Sequence, residues 1–417
     1  MKIVHLNTSD FGGAAMAAIR LHLHLLEQGW ESDLLTMNKT RNDIPRHHQV
    51  DPFAKPGSSR LTFKWRRLLE KSGIADDRNN QPDNSNLKNR PPGFEIFTLP
   101  FSFFSIADHP LVKAADVVHL HWVGFGMIDE QLFFKVCGKP VLWTMHDMHP
   151  ITGGCHHADD CNSYLDTCRA CPQLANPEKA HQYWLYKKVG VEALHSRPFK
   201  IVCPSQWLGH ALQSSSLWKN TIPQVVPNGN DERIFCLKDK QNARHLLGLP
   251  IDKKIILFNA FDIGNPRKGM RFLIDALEQS SLQDVLLLGI GSKASLHSRH
   301  AIQLTGYLQD PEKLALYYAA ADLFVLPSMA ENLPTTIAES LMCGTPCVAF
   351  GVGGVPEMLN ASNGVCVEKG NTDALKNAIV SALNASWNHV QISASGIEKY
   401  GVGQVGQQYV SLYRSLV

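Results

Sequence analysis

Short apolar runs alternate with longer amphipathic stretches along most of the chain. In the first half, the pattern predicts strands at 2–6, 116–122, 140–146 and 199–205, and a helix from about Ala14 to Gly29. In the second half, it predicts strands at 254–260, 284–289, 302–306, 322–328 and 346–350, and helices at 268–280, 310–320, 335–343 and 372–384. Alternation of this kind is typical of parallel sheets covered by helices. Each half is therefore predicted to be a doubly wound, Rossmann-like α/β domain.

The chain has 417 residues, which is too long for one ordinary domain and predicts two, each with its own core. The boundary is expected near residue 220, where TIPQVVPNGND leads into the second set of strands. The predicted organisation is a domain over 1–220, a domain over 221–393 and a terminal segment over 394–417. The terminal segment reads as one amphipathic helix that packs back toward the N-terminal domain. Residues 51–93 are polar and predict a long loop.

Composition and charge indicate a soluble globular protein. Hydrophobic residues make up 44% and charged residues 19%, and the net charge of +2 argues neither for nor against a polyanionic partner. No apolar run reaches the ~18 residues that a membrane span needs, and the N-terminus does not resemble a signal peptide. These features predict a cytoplasmic protein. Residues 60–71 (RLTFKWRRLLEK) are basic and aromatic, which fits an ordinary surface helix or peripheral contact with the inner membrane surface.

The loops after the predicted strands hold the candidate ligand-binding residues, because ligands of open parallel sheets bind beyond the carboxyl ends of the strands. Gly12 and Gly13 follow the first strand and open a helix, so bare backbone N–H groups can face an anion or a sugar. A tight turn without a ligand explains them equally well. His146 and Asp147 follow the strand at 140–146, although a lone histidine is more often structural.

Two loops of the second half carry charged residues. Arg267 and Lys268 (FDIGNPRKG) are predicted at the start of the next helix and could hold a diphosphate; the alternative is a solvated basic turn. The stretch MAENLPTTIAES places Glu331 before a helix and Glu339 about two turns into it. The alternative for Glu339 is an exposed helical carboxylate, although its apolar neighbours argue against exposure. At the start of this helix, Pro334 is expected at the first helical position, and Thr335 and Thr336 offer backbone and hydroxyl donors.

A competing motif is LLLGIGSKA, in which Gly289, Gly291 and Ala294 form a G-x-G-x-x-A after a strand. This spacing occurs in dinucleotide-binding sites. The acidic residue expected at the end of the next strand is missing from IQLTGYLQ. We therefore favour a backbone turn here.

Four of the ten cysteines form a cluster with the spacing C-x5-C-x6-C-x2-C: Cys155, Cys161, Cys168 and Cys171. Four thiolates can close a tetrahedral structural zinc site, and His156 or His157 could replace one of them. Only the C-x2-C end has the usual spacing. Disulfides or free thiols remain open alternatives.

Taken together, these motifs resemble the retaining glycosyltransferases of the GT-B fold, family four. The resemblance is strongest from about 196 to 360 and covers most of the chain. It rests on two glutamates separated by seven residues and followed by GTPCVAFGVGGVPEML. It also rests on the glycine-rich first loop, PSQW (204–207), PNGND (227–231), RKG (267–269) and GYLQDPEKLALYYAAADLFVLPS (306–328). The segment WTMHDMHPITGGC and the cysteines after it resemble a branch that assembles bacterial surface polysaccharides.

The resemblance implies a role for each candidate residue. Glu331 would contact hydroxyls of the donor sugar, and Glu339 would bind the ribose of the nucleotide. The helix start formed by Asn332, Leu333, Pro334, Thr335 and Thr336 would face the diphosphate, together with Arg267 and Lys268. His146 would lie across a central cleft, near the 6-position of the sugar, and Gly13 would approach the phosphates or the acceptor.

The expected reaction moves a hexose from a UDP- or GDP-sugar to a glycan or lipid-linked glycan acceptor, with no nucleic acid as a partner. The chain contains no D-x-D triplet to hold a divalent ion on the donor, which fits a mechanism without a catalytic metal or other cofactor. In one respect it departs from the family, since the Arg usually found several residues before the Lys of RKG is absent from FNAFDIGNP. A GT-B epimerase, a phosphorylase and a non-catalytic nucleotide-sugar-binding protein remain alternatives.

Overall fold

The computed structural model describes residues 1–50, 85–102, 104–292 and 296–417. The segment 60–71 and most of the predicted loop 51–93 lie outside the described residues. The chain divides into two compact units. The first comprises residues 1–203, 209–224 and 410–417, and the second comprises 204–208 and 225–409. No helix in the described part of the chain is long and apolar enough to cross a membrane.

The first unit is built on a sheet in the order β3-β2-β1-β4-β5-β6-β7, with parallel pairing from β3 to β6. Its strands are β1 Lys2–Ser9, β2 Glu31–Asn38, β3 His47–Gln49, β4 Val117–Leu120, β5 Val141–Thr144, β6 Phe199–Cys203 and β7 Gln224–Val225. The helices along this part of the chain are α1 Gly13–Glu27, α2 Ser85–Lys88, α3 Pro110–Ala114, α4 Glu130–Val136, α5 Lys179–Leu194 and α6 Gln206–Ser214. The central strands are buried on both faces, as parallel sheets require.

The second unit has a parallel sheet in the order β10-β9-β8-β11-β12-β13. Its strands are β8 Lys254–Asn259, β9 Val285–Ile290, β10 Ala301–Leu304, β11 Leu323–Leu326, β12 Cys347–Phe350 and β13 Gly364–Val367. The helices along this part of the chain are α7 Lys240–Leu247, α8 Met270–Glu278, α9 Pro311–Ala320, α10 Thr335–Met342, α11 Thr372–Asn384, α12 His389–Tyr400 and α13 Val402–Arg414, whose last residues belong to the first unit. One apolar core joins the sheet to its helices.

The predicted terminal helix is wrong in one respect, because two helices, α12 and α13, replace it. The break falls at Gly401, whose backbone N–H closes α12 by donating to Ile397 O. The N–H of Val402 then donates to Asn230 O at 2.7 Å, in a short bridge between the two backbones. Gly401 has space for this turn only without a side chain, since an added Cβ would lie 2.7 Å from Ile397 O.

A buried ion pair joins α4 to α5 in the first unit. Lys187 Nζ lies 3.3 Å from Glu130 Oε1, and both side chains are almost fully buried. The ammonium group also donates to His149 O and Thr152 O. The helices can approach because Gly190 faces Glu130, where a Cβ would lie 2.3 Å from the glutamate carbonyl oxygen. Burial raises the pKa of Glu130 in spite of the opposing charge of Lys187.

We expect Lys187→Met to lower the free energy of unfolding of the first unit by about 3–5 kcal/mol, because removing one partner leaves a buried carboxyl group without its counter-charge. The measurement is urea-induced unfolding followed by amide hydrogen exchange on peptides of α4 and α5. Lys187→Met combined with Glu130→Gln should recover part of the loss. If the single and double variants are equally stable, the unpaired carboxyl group of Glu130 is not what destabilises Lys187→Met. Lys188→Met, at an exposed position one residue away, serves as the control.

Candidate functional site

The loops after β8 and β11 carry the charged residues of the second unit. These strands are neighbours in the sheet, so their carboxyl ends meet at the same edge. The prediction that Arg267 and Lys268 start the following helix is wrong, because they form a separate 3₁₀ turn, Pro266–Lys268, and α8 begins at Met270. Asn265 caps this turn by accepting from the Arg267 N–H at 2.8 Å.

Glu331 lies between these two bases. Its Oε1 is 2.6 Å from Lys268 Nζ and 3.6 Å from Arg267 Nη1, and Arg267 Nη1 also donates to Ala330 O at 2.8 Å. Burial disfavours the carboxylate, but the positive charges of Lys268 and Arg267 outweigh burial and lower the pKa of Glu331. The sequence placed the bases and the acid in separate roles, whereas the structure brings them together as one ion cluster.

Two glycines allow the loops of this cluster to pack backbone against backbone. Gly269, with φ of 75°, lies so close to the loop after β11 that a Cβ would be 1.9 Å from Pro327 O. Gly353, with φ of 56°, is as crowded as Gly269, since a Cβ there would be 1.8 Å from Glu331 O. Met329 N–H donates to Arg267 O at 2.7 Å. The ion cluster is therefore held by a backbone scaffold that accepts no side chain at either glycine.

Glu339 lies on α10 and is buried, so the alternative of an exposed helical carboxylate is wrong. Its Oε2 accepts from the Tyr318 hydroxyl at 3.0 Å, and that hydroxyl accepts from Asn259 Nδ2 at 2.9 Å. Burial and the neighbouring Glu339 raise the pKa of Tyr318, which keeps the phenol a donor. Tyr318 and Asn259 orient the carboxylate, and sequence reasoning missed both.

The start of α10 differs by one residue from the prediction, because Pro334 is the N-cap and Thr335 the first helical residue. Pro334 contributes no side-chain hydrogen bond to the first turn, so the turn leaves backbone donors directed along the helix axis. Asn332 accepts from the Ser205 hydroxyl at 2.6 Å, and its carbonyl oxygen accepts from Gly354 N–H. Leu333 is buried in the core.

In the first unit, Gly12 and Gly13 open α1 as predicted. Gly12 is the N-cap and has φ of 90°, a conformation that a residue with a side chain rarely adopts. A Cβ at either glycine would meet no atom within 4 Å. Crowding within the protein therefore does not explain the pair, and the loop surface at the end of β1 stays open.

His146 ends a chain of imidazoles that sequence reasoning did not find. His146 Nε2 is 3.2 Å from His121 Nδ1, and His121 Nε2 is 3.0 Å from His5 Nδ1. Burial lowers the pKa of His146 to about 4, and it also lowers the pKa values of His5 and His121. The three imidazoles are therefore neutral at physiological pH. The sequence could have indicated this cluster, since DVVHLHW puts two histidines on one face of a strand.

The environment of His5, at the other end of this row of imidazoles, indicates which ring nitrogens carry the protons. His5 Nε2 is buried and finds no hydrogen-bond partner among the residues that the structure describes. An unpaired lone pair is tolerated better than an unpaired N–H, so the proton of His5 belongs on Nδ1, where it donates to His121. His121 then donates from Nδ1 to His146 Nε2. His146 consequently carries its proton on Nδ1 and is a donor at that atom.

The same region contains the one group of three or more potential metal ligands in the described residues whose donor atoms all lie within 4.8 Å: His5, His119 and His121. His119 bonds the Tyr413 hydroxyl through Nδ1 at 2.7 Å and the Thr144 hydroxyl through Nε2 at 2.8 Å. His5 and His121 are bonded to each other. The trio is thus explained as a hydrogen-bonded cluster.

Asp147 fixes the loop that follows His146. Its Oδ2 accepts from Trp122 Nε1 and lies 2.7 Å from His156 Nδ1, and its Oδ1 accepts from His149 N–H. His156 Nε2 is 2.7 Å from the Thr98 hydroxyl. Both ring nitrogens of His156 are therefore engaged, and the alternative that it replaces a cysteine in a metal site is wrong.

The four cysteines Cys155, Cys161, Cys168 and Cys171 line one cavity of about 20 Å³. None forms a disulfide. Burial raises the pKa values of the Cys155, Cys168 and Cys171 thiols, with that of Cys168 at about 12. The sequence cluster is therefore also a cluster in space.

The competing glycine motif is explained by packing. Gly291, with φ of 139°, lies where a Cβ would be 1.7 Å from Ala260 O, and a Cβ on Gly289 would be 2.6 Å from Leu304 Cδ2. Ala294 lies outside the described residues. Close approach of β8, β9 and β10 is sufficient reason for both glycines.

Part of the second unit matches a known protein family. Residues 253–385 match the family described as Glycosyl transferases group 1. The chain is 25% identical over 418 residues to the putative colanic acid biosynthesis glycosyl transferase WcaC of Escherichia coli (strain K12), and the match covers 97% of each protein.

Solved structures show the same fold. Sucrose-phosphate synthase from Thermosynechococcus elongatus has a TM-score of 0.66 at 20% identity, over 100% of this chain and 99% of that chain. HepE of Anabaena, solved in complex with UDP-glucose, has a TM-score of 0.62 at 18% identity over 100% of both chains. The chain therefore carries a group 1 glycosyltransferase domain and is a glycosyltransferase of the GT-B fold.

Proposed function

We propose that the chain is a retaining hexosyltransferase that moves a hexose from a UDP- or GDP-sugar to a glycan or lipid-linked glycan in polysaccharide biosynthesis. The observation that carries the proposal is the ion cluster of Lys268, Arg267 and Glu331 at the carboxyl ends of adjacent strands. The colanic acid relative supports the polysaccharide pathway class, and the UDP-glucose complex of HepE supports a nucleotide-sugar donor.

The reaction breaks the bond between the anomeric carbon and the β-phosphate oxygen, and it forms a bond from that carbon to an acceptor hydroxyl oxygen. Negative charge develops on the diphosphate as it leaves. Lys268 has three N–H donors and uses one on Glu331, and Arg267 has five, so both can also bind phosphate. The departing phosphate takes the acceptor proton on the same face of the sugar, which retains the configuration. No metal ion is required in this step, because the two bases supply the positive charge.

The remaining candidates take supporting roles in this proposal. Glu331 holds Lys268 in place and contacts the donor sugar, while Glu339, oriented by Tyr318, binds the ribose. Backbone donors from Asn332 to Thr336 at the start of α10 add to the charge stabilisation of the diphosphate. In the first unit, His146, Gly12 and Gly13 keep the roles that the resemblance implies, His146 near the 6-position of the sugar and the two glycines toward the phosphates or the acceptor. A lipid-linked acceptor would bring the protein to the cytoplasmic face of the membrane.

The proposal predicts that one nucleoside diphosphate stabilises the protein. We expect UDP or GDP at 100 times its dissociation constant to add about 2.7 kcal/mol to the free energy of unfolding, and ADP and NAD to add little at the same concentration. The measurement is thermal unfolding with a chelator present, for wild type, Lys268→Ala and the control Lys313→Ala, which changes an exposed lysine of the same unit.

Lys268→Ala should lose the stabilisation, and Lys313→Ala should keep it. Stabilisation by NAD alone would overturn the proposal and would favour a dinucleotide-binding site at the G-x-G-x-x-A motif. Equal stabilisation of wild type and Lys268→Ala would place the diphosphate away from the ion cluster.

A further inference from the structure

The cavity lined by the four cysteines has the size and the chemistry of a site for a single atom. Its volume of about 20 Å³ is just above what one water-sized probe needs. Besides the thiols, its wall includes Phe97, Ala158 and Ala180, together with Thr152, Ser163 and Tyr164, and almost no polar atom faces the enclosed space. A water needs two or more good polar partners, which thiols do not supply, and an empty hole forfeits packing energy. A soft metal ion satisfies the donor set that is present.

Hydrogen-bond donors already point at the sulfur atoms. Gly153 N–H donates to Cys168 Sγ at 3.1 Å. Backbone N–H groups of Gln173 and Leu174 favour the thiolate of Cys171, whereas the Thr152 hydroxyl donates to the carbonyl oxygen of Cys155 at 2.8 Å. Donors of this kind stabilise a thiolate more than a thiol. They form the outer shell that orients ligands in metal sites.

The C-x2-C end has the backbone of a tight ligand turn. Cys168 and Ala170 have φ of 51° and 55°, which is uncommon for residues with a side chain. The turn aims both sulfurs at the same cavity. Arg90 lies near Cys155 and Cys171, where its charge offsets the net negative charge of four thiolates around a divalent ion.

The sulfur atoms stand further apart than in a closed metal site, since no three of these four lie within 4.8 Å of one another. Rotation about a cysteine Cα–Cβ bond moves the sulfur and leaves the backbone in place. The central cavity provides the volume into which the sulfurs can contract.

We propose that Cys155, Cys161, Cys168 and Cys171 bind one structural zinc ion in this cavity. Four thiolates in tetrahedral geometry form a closed site with no open position, so the ion has a structural role. The ion would fix the loop 152–172 against residues 96–98, to which it is already joined by hydrogen bonds from Thr98 N–H to Gly154 O and from His156 N–H to Ile96 O. Through His156 and Asp147, the same loop holds the residue next to His146.

The experiment measures metal content directly and does not depend on the proposed reaction. Full-length protein is purified under reducing conditions without chelator, and zinc is determined by mass spectrometry. We expect about one equivalent per chain for wild type and for the control variants Cys137→Ser and Cys347→Ser, which change buried cysteines outside the cavity. Cys168→Ser and Cys171→Ser should lose the zinc.

A second measurement covers the case in which the serine variants do not fold. Wild-type protein is stripped of metal, reduced and titrated with Co²⁺. Thiolate-to-cobalt charge-transfer absorption and intense tetrahedral d–d bands are expected, whereas binding at the histidine trio would give no thiolate band. Failure of the reduced protein to bind Zn²⁺ or Co²⁺ would overturn the proposal. So would two disulfides per chain found by alkylation and mass spectrometry of protein purified from the cytoplasm.

Discussion

Replacing Lys268 with alanine is expected to lower the rate constant of sugar transfer by about 10²- to 10³-fold, the usual effect of removing one donor that stabilises charge in a transition state. Lys268 is the base closest to Glu331, at 2.6 Å, and it lies at the strand edge where the diphosphate is proposed to bind. The measurement is steady-state transfer with the donor nucleotide found by thermal unfolding, for Lys268→Ala and the control Lys313→Ala.

Lys268 is proposed both to stabilise the diphosphate and to keep Glu331 ionised, and the pH dependence of the same variant separates these two roles. Lys268 contributes to the lowered pKa of Glu331, so its loss should raise that pKa and move the acid limb of the rate profile to higher pH. Glu331→Gln should lower the rate without this limb. A Lys268→Ala enzyme with unchanged rate would rule out the assigned role. A wild type that binds the nucleotide but transfers no sugar to any acceptor would favour the non-catalytic alternative.

The strands whose two faces are both covered by helices could be predicted from the sequence, because they appear in it as continuous apolar runs. β1, β8 and β11 all lie within the predicted runs or extend them by a few residues. The sequence did not reveal β2, which begins with three polar residues, or the short β3 and β13. These strands are defined by pairing with a neighbour already in the sheet. Such pairing depends on tertiary contacts that local composition does not show.

The site could be predicted in its parts but not in its connections. The motifs indicated Arg267, Lys268 and Glu331 as separate groups, yet the contact between the bases and the acid joins residues 63 positions apart. That contact requires β8 and β11 to be neighbours, a fact of sheet order. Tyr318 gave no signal of its own, because a tyrosine in an apolar helix is expected to be core. Only the position of α9 beside α10 brings its hydroxyl to Glu339.

The buried histidines of the first unit have a consequence for stability. His5, His22, His119, His121, His146 and His149 all have pKa values lowered by burial, to about 4 for His22 and His146. In the unfolded chain each would titrate near 6.5. The folded state therefore binds fewer protons below pH 6.5. The contribution of these neutral histidines to the free energy of unfolding is complete above pH 6.5 and is lost as the pH falls toward 4.

We therefore expect acid to destabilise the first unit selectively. The six histidines together should lower the stability of the first unit between pH 7.5 and pH 5.5, and a sum on the order of several kcal/mol is comparable with the whole stability of a domain. Glu130 changes in the opposite sense, because burial raises its pKa, and it offsets a part of the loss at the acidic end. The measurement is amide hydrogen exchange, corrected for intrinsic rates, on peptides from β1 and β4. Peptides from β8 and β11 of the second unit are the internal control, since none of the six histidines lies in that unit.

His5→Gln tests the origin of this effect, because it removes one titrating group from the imidazole chain. The acid-induced loss of stability in β1 and β4 should become smaller, because burial lowers the pKa of His5 in the folded state, although the variant is expected to be less stable at pH 7.5. His297→Gln, which changes an exposed histidine of the second unit, should leave the pH dependence unchanged. Equal acid sensitivity of both units would mean that the buried histidines are not its cause. The imidazole chain would then matter for the orientation of His146 alone.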